Sequence, residues 1–224
     1  MAGETERLSA KRTALLVIDV QRYFVRPGHP FGKLIQQADA DGAEKYFQRV
    51  AGVVIPNIQK LQRRFRASSA YIAYTCFGSL LADGRDMPGW ARRHNELGRA
   101  TFGAPVYPAF DDPTCAVDDA VAPLDREIVV RKNTSGPVNS TKLDHTLRVL
   151  GIDTVVVAGL VTDVCVAQTV REFGDRDFDA ILVEDACATI DDRCHQATLH
   201  TVGMTFGTVL STDQVLSRIE GSRD

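Results

Sequence analysis

The sequence predicts a three-layer αβα fold on a doubly wound, mostly parallel sheet of six strands, in one domain over residues 1–224 with a polar tail at 1–12. Three observations predict it. Short runs rich in Val, Ile and Leu recur along the chain and are apolar throughout rather than alternating, which marks strands covered on both faces. Stretches with apolar residues at three- and four-residue spacing separate them, which marks amphipathic helices. No repeat, linker or low-complexity segment interrupts the alternation, and 224 residues suit one large core.

The elements follow in order. "TALLVID", Thr13 to Asp19, reads as a buried strand that ends in an acid. A Pro- and Gly-punctuated loop is expected over roughly 22–42. From Glu44 to Arg66, the residues Val50, Val54, Ile58, Leu61 and Phe65 share one helix face, and Pro56 is expected to kink or divide that helix. "AYIAYT", Ala70 to Thr75, is the second strand. The stretch from Cys76 to Pro123 is rich in Gly, Pro, Asp and Arg and reads as one long connection, a type that is usually functional or disordered. "REIVVRK", Arg126 to Lys132, is the third strand and ends in a lysine. A helix follows with Leu143, Leu147 and Leu150 on one side and Gly151 as its stop. Strand "TVVVAGL" and helix "DVCVAQTVREF" come next, then strand "DAILVED" and a helix from about Asp191 to Val202. A short strand, "TFGTVL", and a last helix close the chain.

Composition excludes several function classes. The net charge is −3, from 26 basic and 29 acidic residues with no basic block, which argues against nucleic-acid binding. The first residues are polar and lack the apolar core of a signal peptide, and no apolar run approaches a membrane span, so a cytoplasmic protein without membrane contact is expected. Five cysteines, an odd number with no C-x-x-C, suggest neither a disulfide framework nor a zinc ribbon. The five histidines form no ligand pair by spacing, so no metal is expected. G-x-S-x-G, P-loop and G-x-G-x-x-G motifs do not occur.

Parallel sheets bind ligands at the carboxyl ends of their strands. That rule selects Asp19 at the end of the first strand, Lys132 at the end of the third and Cys165 where the helix opens after the fourth. Taken singly, each has a plainer reading: a turn acid, a solvated lysine, a core thiol. Together at one sheet edge they make a chemical set. Cys165 is a nucleophile whose thiol pKa the helix dipole and Lys132 are expected to lower, and Asp19 accepts its proton and returns it to a leaving amine.

At these residues the sequence resembles the isochorismatase-like cysteine hydrolases, whose fold is Rossmann-like. The resemblance runs from "LLVIDVQRYF" through "VVRKNTSGPVNSTKLDHTLRVLGID" to "VVVAGLVTDVCVAQTVREFGDRDFDAILVEDACAT" and "TFGTVLST", nearly the whole chain. It implies Asp19 as general base, Lys132 as stabilising cation and Cys165 as nucleophile. It also implies a cis Leu160–Val161 peptide and an oxyanion hole made by the Val161 and Cys165 N–H groups. The pattern lies nearest the biuret, ureidoacrylate and N-carbamoylsarcosine amidohydrolases. The region "CFGSLLADGRDMPGWARRH" lacks the D-x-H metal motif of nicotinamidases, which argues against that activity and against a cofactor. The expected reaction is cleavage of a small carboxamide, carbamoyl or ureide substrate through a thioester with release of ammonia, by a homodimer or homotetramer.

Substrate contacts are expected from Gln21 and Phe24, with Tyr23 beside them, from Arg85, Trp90 and His94, with Arg92 and Arg93, in the long connection, and from Val138, where many relatives carry phenylalanine. Gln21 has a plainer reading as a loop tether and Phe24 as core. Cys76, Cys115, Cys187, Cys194, His195 and His200 are assigned to structure. Two alternatives stay open: an isochorismatase-type vinyl-ether hydrolase, whose activity would not need Cys165, and a non-catalytic domain that binds a metabolite in the same pocket.

Overall fold

A computed structural model describes residues 7–220. Six strands, all parallel, form one sheet: β1 (Thr13–Ile18), β2 (Tyr71–Phe77), β3 (Ile128–Lys132), β4 (Thr154–Leu160), β5 (Asp179–Ala188) and β6 (Thr208–Leu210). Their order is β3-β2-β1-β4-β5-β6. The chain winds outward from β1 through β2 to β3, then returns to place β4 on the other side of β1. The crevice at the carboxyl ends of β1 and β4 is therefore the topological switch point, where folds of this kind bind ligands.

Every residue of β1 and β4 is buried. Alternate side chains enter different cores: Leu15 and Val17 face one layer of helices, and Ala14, Leu16 and Ile18 face the other. This is the physical basis of the continuous apolar runs. The two central strands also meet closely at one point. Gly159 has φ 127°, and a Cβ there would stand 2.1 Å from the Ile18 carbonyl oxygen.

Several elements differ from expectation. The expected loop over 22–42 is largely helical, with α1 (Arg22–Val25), α2 (Pro30–Ala38) and α3 (Ala40–Arg49). Pro30 sits in the first turn of α2, where its missing N–H is harmless, and Phe31 and Ile35 are buried. Turn residues that looked like a loop are helix starts. Pro56 does divide its helix: a π-helical turn, Val50–Val54, joins α3 to α4 (Ile55–Ala67). The Ile55 N–H bonds to the Val50 carbonyl five residues back, so the ladder widens just before the proline.

The long connection contains α5 (Gly89–Phe102), ended by Gly103 at φ 75°. The helix α6 (Leu143–Val149) stops as expected, with Gly151 at φ 77°. A π-helical turn, Thr162–Val166, leads from β4 into α7 (Ala167–Gly174), and α8 (Asp192–Thr201) and α9 (Thr212–Arg218) complete the outer layers. Residues 1–6 of the expected tail lie outside the described residues. Its remainder is held down, because Leu8 bridges Ile219 and both Leu8 and Ala10 are buried. Among the described residues no helix is long and apolar enough to cross a membrane.

Candidate active site

Asp19 follows β1 directly, with φ 51°, a left-handed conformation that aspartate tolerates better than most residues. The turn swings its carboxylate under the ends of β1 and β2. Thr75, opposite Ile18 in the β2 register, donates its hydroxyl to Asp19 Oδ1 at 2.6 Å and accepts the Asp19 N–H at 3.1 Å. Asp19 Oδ2 stands 2.7 Å from Lys132 Nζ. No aligned hydrogen bond closes on that oxygen, so it keeps a lone pair although it is ion-paired.

Lys132 ends β3, two strands from β1, and its side chain crosses beneath β2. The ammonium donates to the carbonyls of Thr134 at 3.1 Å and Ser135 at 2.8 Å, and lies 4.9 Å from the centre of the Phe77 ring. The two carbonyls take two of its three N–H donors, and Asp19 pairs with it by charge. Burial alone would drive the lysine pKa down, but Asp19 and Cys165 outweigh it and hold Lys132 above the ordinary lysine value.

Cys165 lies in the π-helical turn after β4, and its thiol feels the charges of both Asp19 and Lys132. Asp19 is 0% exposed, Lys132 1% and Cys165 3%. The three residues chosen by the strand-end rule thus meet at the switch point, out of water. One electrostatic expectation is corrected. Burial pushes the Cys165 thiol well up; Lys132 pulls it down, Asp19 pushes it up, and burial prevails. The shift runs against a preformed thiolate and toward the neutral thiol.

The Leu160–Val161 peptide is cis. Val161 precedes the turn that carries Cys165, and the Val161 carbonyl accepts from the N–H groups of Val164 and Val166, each at 3.2 Å. Tyr46 and Tyr107 are buried, and after burial the charge of Cys165 is the next influence raising both phenols. A cavity of about 670 Å³ opens at the opposite edge, at the amino ends of β1, β4, β5 and β6, but it carries no cysteine or histidine among its described lining residues. Asp19, Lys132 and Cys165 gather at the carboxyl edge instead. Among the described residues no group of three or more His, Cys, Asp and Glu side chains is arranged to hold a metal ion.

The isochorismatase domain profile matches residues 13–214, which span all six strands. The chain belongs to the isochorismatase family. It is 29% identical over 216 residues to an N-carbamoylsarcosine amidase of Arthrobacter, covering 93% of this chain and 72% of that protein. It is 24% identical to ureidoacrylate amidohydrolase RutB of Acinetobacter baylyi, covering 97% and 87%. A cysteine hydrolase from Pseudomonas syringae pv. phaseolicola superposes with a TM-score of 0.79 at 27% identity, over 97% of this chain and 98% of that one. This chain is accordingly a hydrolase.

Around this isochorismatase-family centre, the expected substrate contacts separate into groups. Gln21 is a tether: its Oε1 accepts the Phe77 N–H at 2.8 Å, and its Nε2 donates to the carbonyls of Cys115 at 2.6 Å and Phe77 at 3.1 Å. Fully buried, it has no amide left for a substrate. Phe24 packs in an aromatic core, 4.2 Å from Tyr23 and 4.7 Å from Phe31 between ring centroids. Arg85 is exposed to solvent and pairs with the exposed Asp83. Trp90 stacks on Phe77 at 5.6 Å and 7°, so it reaches the centre through the ring that backs Lys132. His94 is exposed and pairs its Nδ1 with the Tyr107 hydroxyl at 3.0 Å. Val138 packs at the rim of the second core, and its N–H donates to the buried Glu172 at 2.9 Å.

Thr75, Phe77, Tyr107 and the carbonyls of Thr134 and Ser135 were not anticipated. Thr75 carried a legible signal, a polar residue at a strand's carboxyl end. The carbonyl pair carried none, because any residue type supplies it.

Proposed function

We propose that this isochorismatase-family hydrolase is a cysteine-dependent amidohydrolase that cleaves a C–N bond of a small carboxamide, carbamoyl or ureide substrate. One observation carries the reading: a buried thiol set against a buried carboxylate–ammonium pair, with Lys132 Nζ 2.7 Å from Asp19 Oδ2. The relatives named as amidases and amidohydrolases support the bond type.

As substrate binds, Asp19 Oδ2 takes the Cys165 proton while Sγ attacks the carbonyl carbon. The carbonyl π pair becomes an oxyanion held by the Val161 and Cys165 N–H groups. The oxyanion collapses, the C–N bond breaks, and Asp19 returns its proton to the departing nitrogen, which leaves as ammonia. Water then loses a proton to Asp19 and adds to the thioester. The second tetrahedral intermediate expels Sγ, which recovers the proton from Asp19. Lys132 remains charged throughout, so it balances whichever of Asp19 and Cys165 carries the negative charge.

Ammonia release across a panel of small amides and ureides tests this. Wild type releases ammonia and accumulates an acyl adduct on Cys165 by mass spectrometry, whereas Cys165→Ala and Asp19→Asn bind substrate without turning it over. Near-normal turnover by Cys165→Ala would sink the mechanism and favour a vinyl-ether type of hydrolysis.

A further inference from the structure

We propose that His195 is a positioning residue for catalysis: held in one tautomer by Arg49, it fixes Thr162 and so orients the Val161–Cys165 turn that cradles the oxyanion. The inference rests on the amidohydrolase reading of that turn.

The geometry runs inward from α3. Arg49, the last residue of α3, donates Nε to the Cys187 carbonyl at 2.9 Å and Nη2 to the Glu184 carbonyl at 3.0 Å. The same Nη2 lies 3.4 Å from His195 Nε2. A guanidinium only donates, so Nε2 must present its lone pair. The imidazole proton therefore sits on Nδ1, which donates to Thr162 Oγ1 at 2.9 Å. Charge agrees with this tautomer. Burial first, and then the Arg49 cation, hold His195 below the ordinary histidine value, against the weaker pull of Asp192 and Asp163. His195 is thus a neutral, one-directional donor.

Thr162 is fully buried between Val161 and the turn that bears Cys165. Beyond that turn, Thr169 Oγ1 donates to the Cys165 carbonyl at 2.6 Å. The turn is therefore tied at both ends by threonine hydroxyls, and the tie on the Val161 side is set from α8 and α3. A core histidine that merely filled space would need neither a fixed tautomer nor an arginine to fix it. The Val161–Thr162 peptide carries the Val161 carbonyl that accepts from Val164 and Val166, so a shift of Thr162 displaces that carbonyl and, through the Val161 Cα, the Val161 N–H, and an oxyanion donor loses its effect when displaced by about 1 Å.

The test uses whichever panel substrate gives the fastest ammonia release, with His195→Leu, the isosteric Thr162→Val and the conservative Thr162→Ser. Losing one oxyanion donor lowers rate by about 100-fold to 1,000-fold, so a displaced donor is expected to lower kcat by at least about tenfold. KM is expected to stay within about threefold, because ground-state binding does not use the oxyanion cradle. Thr162→Ser keeps the acceptor and is expected to retain kcat within about threefold of wild type. The alkylation rate of Cys165 by iodoacetamide, which forms no oxyanion, stays unchanged in all three. Where His195→Leu does not fold, Thr162→Val carries the test. Unchanged kcat in Thr162→Val, or parallel changes in kcat, KM and alkylation rate, overturn the inference while an active wild type leaves the amidohydrolase reading standing. A wild type that releases ammonia from no member of the panel overturns both.

Discussion

Replacing Lys132 by methionine removes the one cation from a fully buried carboxylate. Asp19 and Lys132 are 0% and 1% exposed and 2.7 Å apart, so water cannot take the place of the lost ammonium. Breaking a buried pair from one side costs about 3–5 kcal/mol, because the remaining charge stays desolvated. The carbonyls of Thr134 and Ser135 lose their donor as well, which puts Lys132→Met at the upper end of that range. A domain of this size holds about 5–15 kcal/mol, so the variant still folds, with Tm lowered by about 8–20 °C. Without Lys132 nothing balances the negative charge shared by Asp19 and Cys165, so ammonia release is expected to fall to background. Urea denaturation of wild type, Lys132→Met and Asp19→Asn/Lys132→Met checks the energetic claim. The double variant has no stranded charge and is expected to be more stable than the single one. A single variant within about 1 kcal/mol of wild type, or a double variant no more stable than the single, would refute the account of the pair.

Two further predictions concern stability. Burial raises the thiols of Cys76, Cys115 and Cys187 from the ordinary 9.0 to about 12. A raised folded-state value means that their contribution is complete below pH 9.0 and is lost as pH climbs from there toward about 12. At pH 10 each removes about 1.4 kcal/mol, so urea midpoints at pH 7.5 and 10 should differ clearly; coincident midpoints would contradict the burial of these thiols. Gly159→Ala forces a Cβ to 2.1 Å from the Ile18 carbonyl oxygen at φ 127°, and is expected to cost at least about 3 kcal/mol in the same assay. A loss below about 1 kcal/mol would mean that β1 and β4 separate easily at the site.

The fold was legible because its signals are local. Continuous apolar strands, amphipathic spacing and Gly151 act over a few residues, and the sheet they imply has few topologies open to it. Misreadings occurred where one residue serves two structures: Pro30 and its neighbours resemble a loop but begin helices, since a proline in the first turn looks the same in sequence as a breaker. The site followed the same division. Asp19, Lys132 and Cys165 were selected by strand ends alone, and the switch point then brought them together. Gln21 reads from sequence as either a substrate contact or a loop tether, because the partners that hold its amide, Phe77 and Cys115, lie 56 and 94 residues away.

The sequence by itself determined the layers and the strand edge at which Asp19, Lys132 and Cys165 stand. Only the tertiary structure decided which way the Cys165 thiol is shifted. A helix start and a lysine nearby argue for a thiolate, but complete burial outweighs both and raises the thiol. The desolvation of a group depends on everything packed around it. Here that means Phe77 beside Lys132, and Tyr46 and Tyr107, which share the field of the thiol, drawn from segments far apart in the chain.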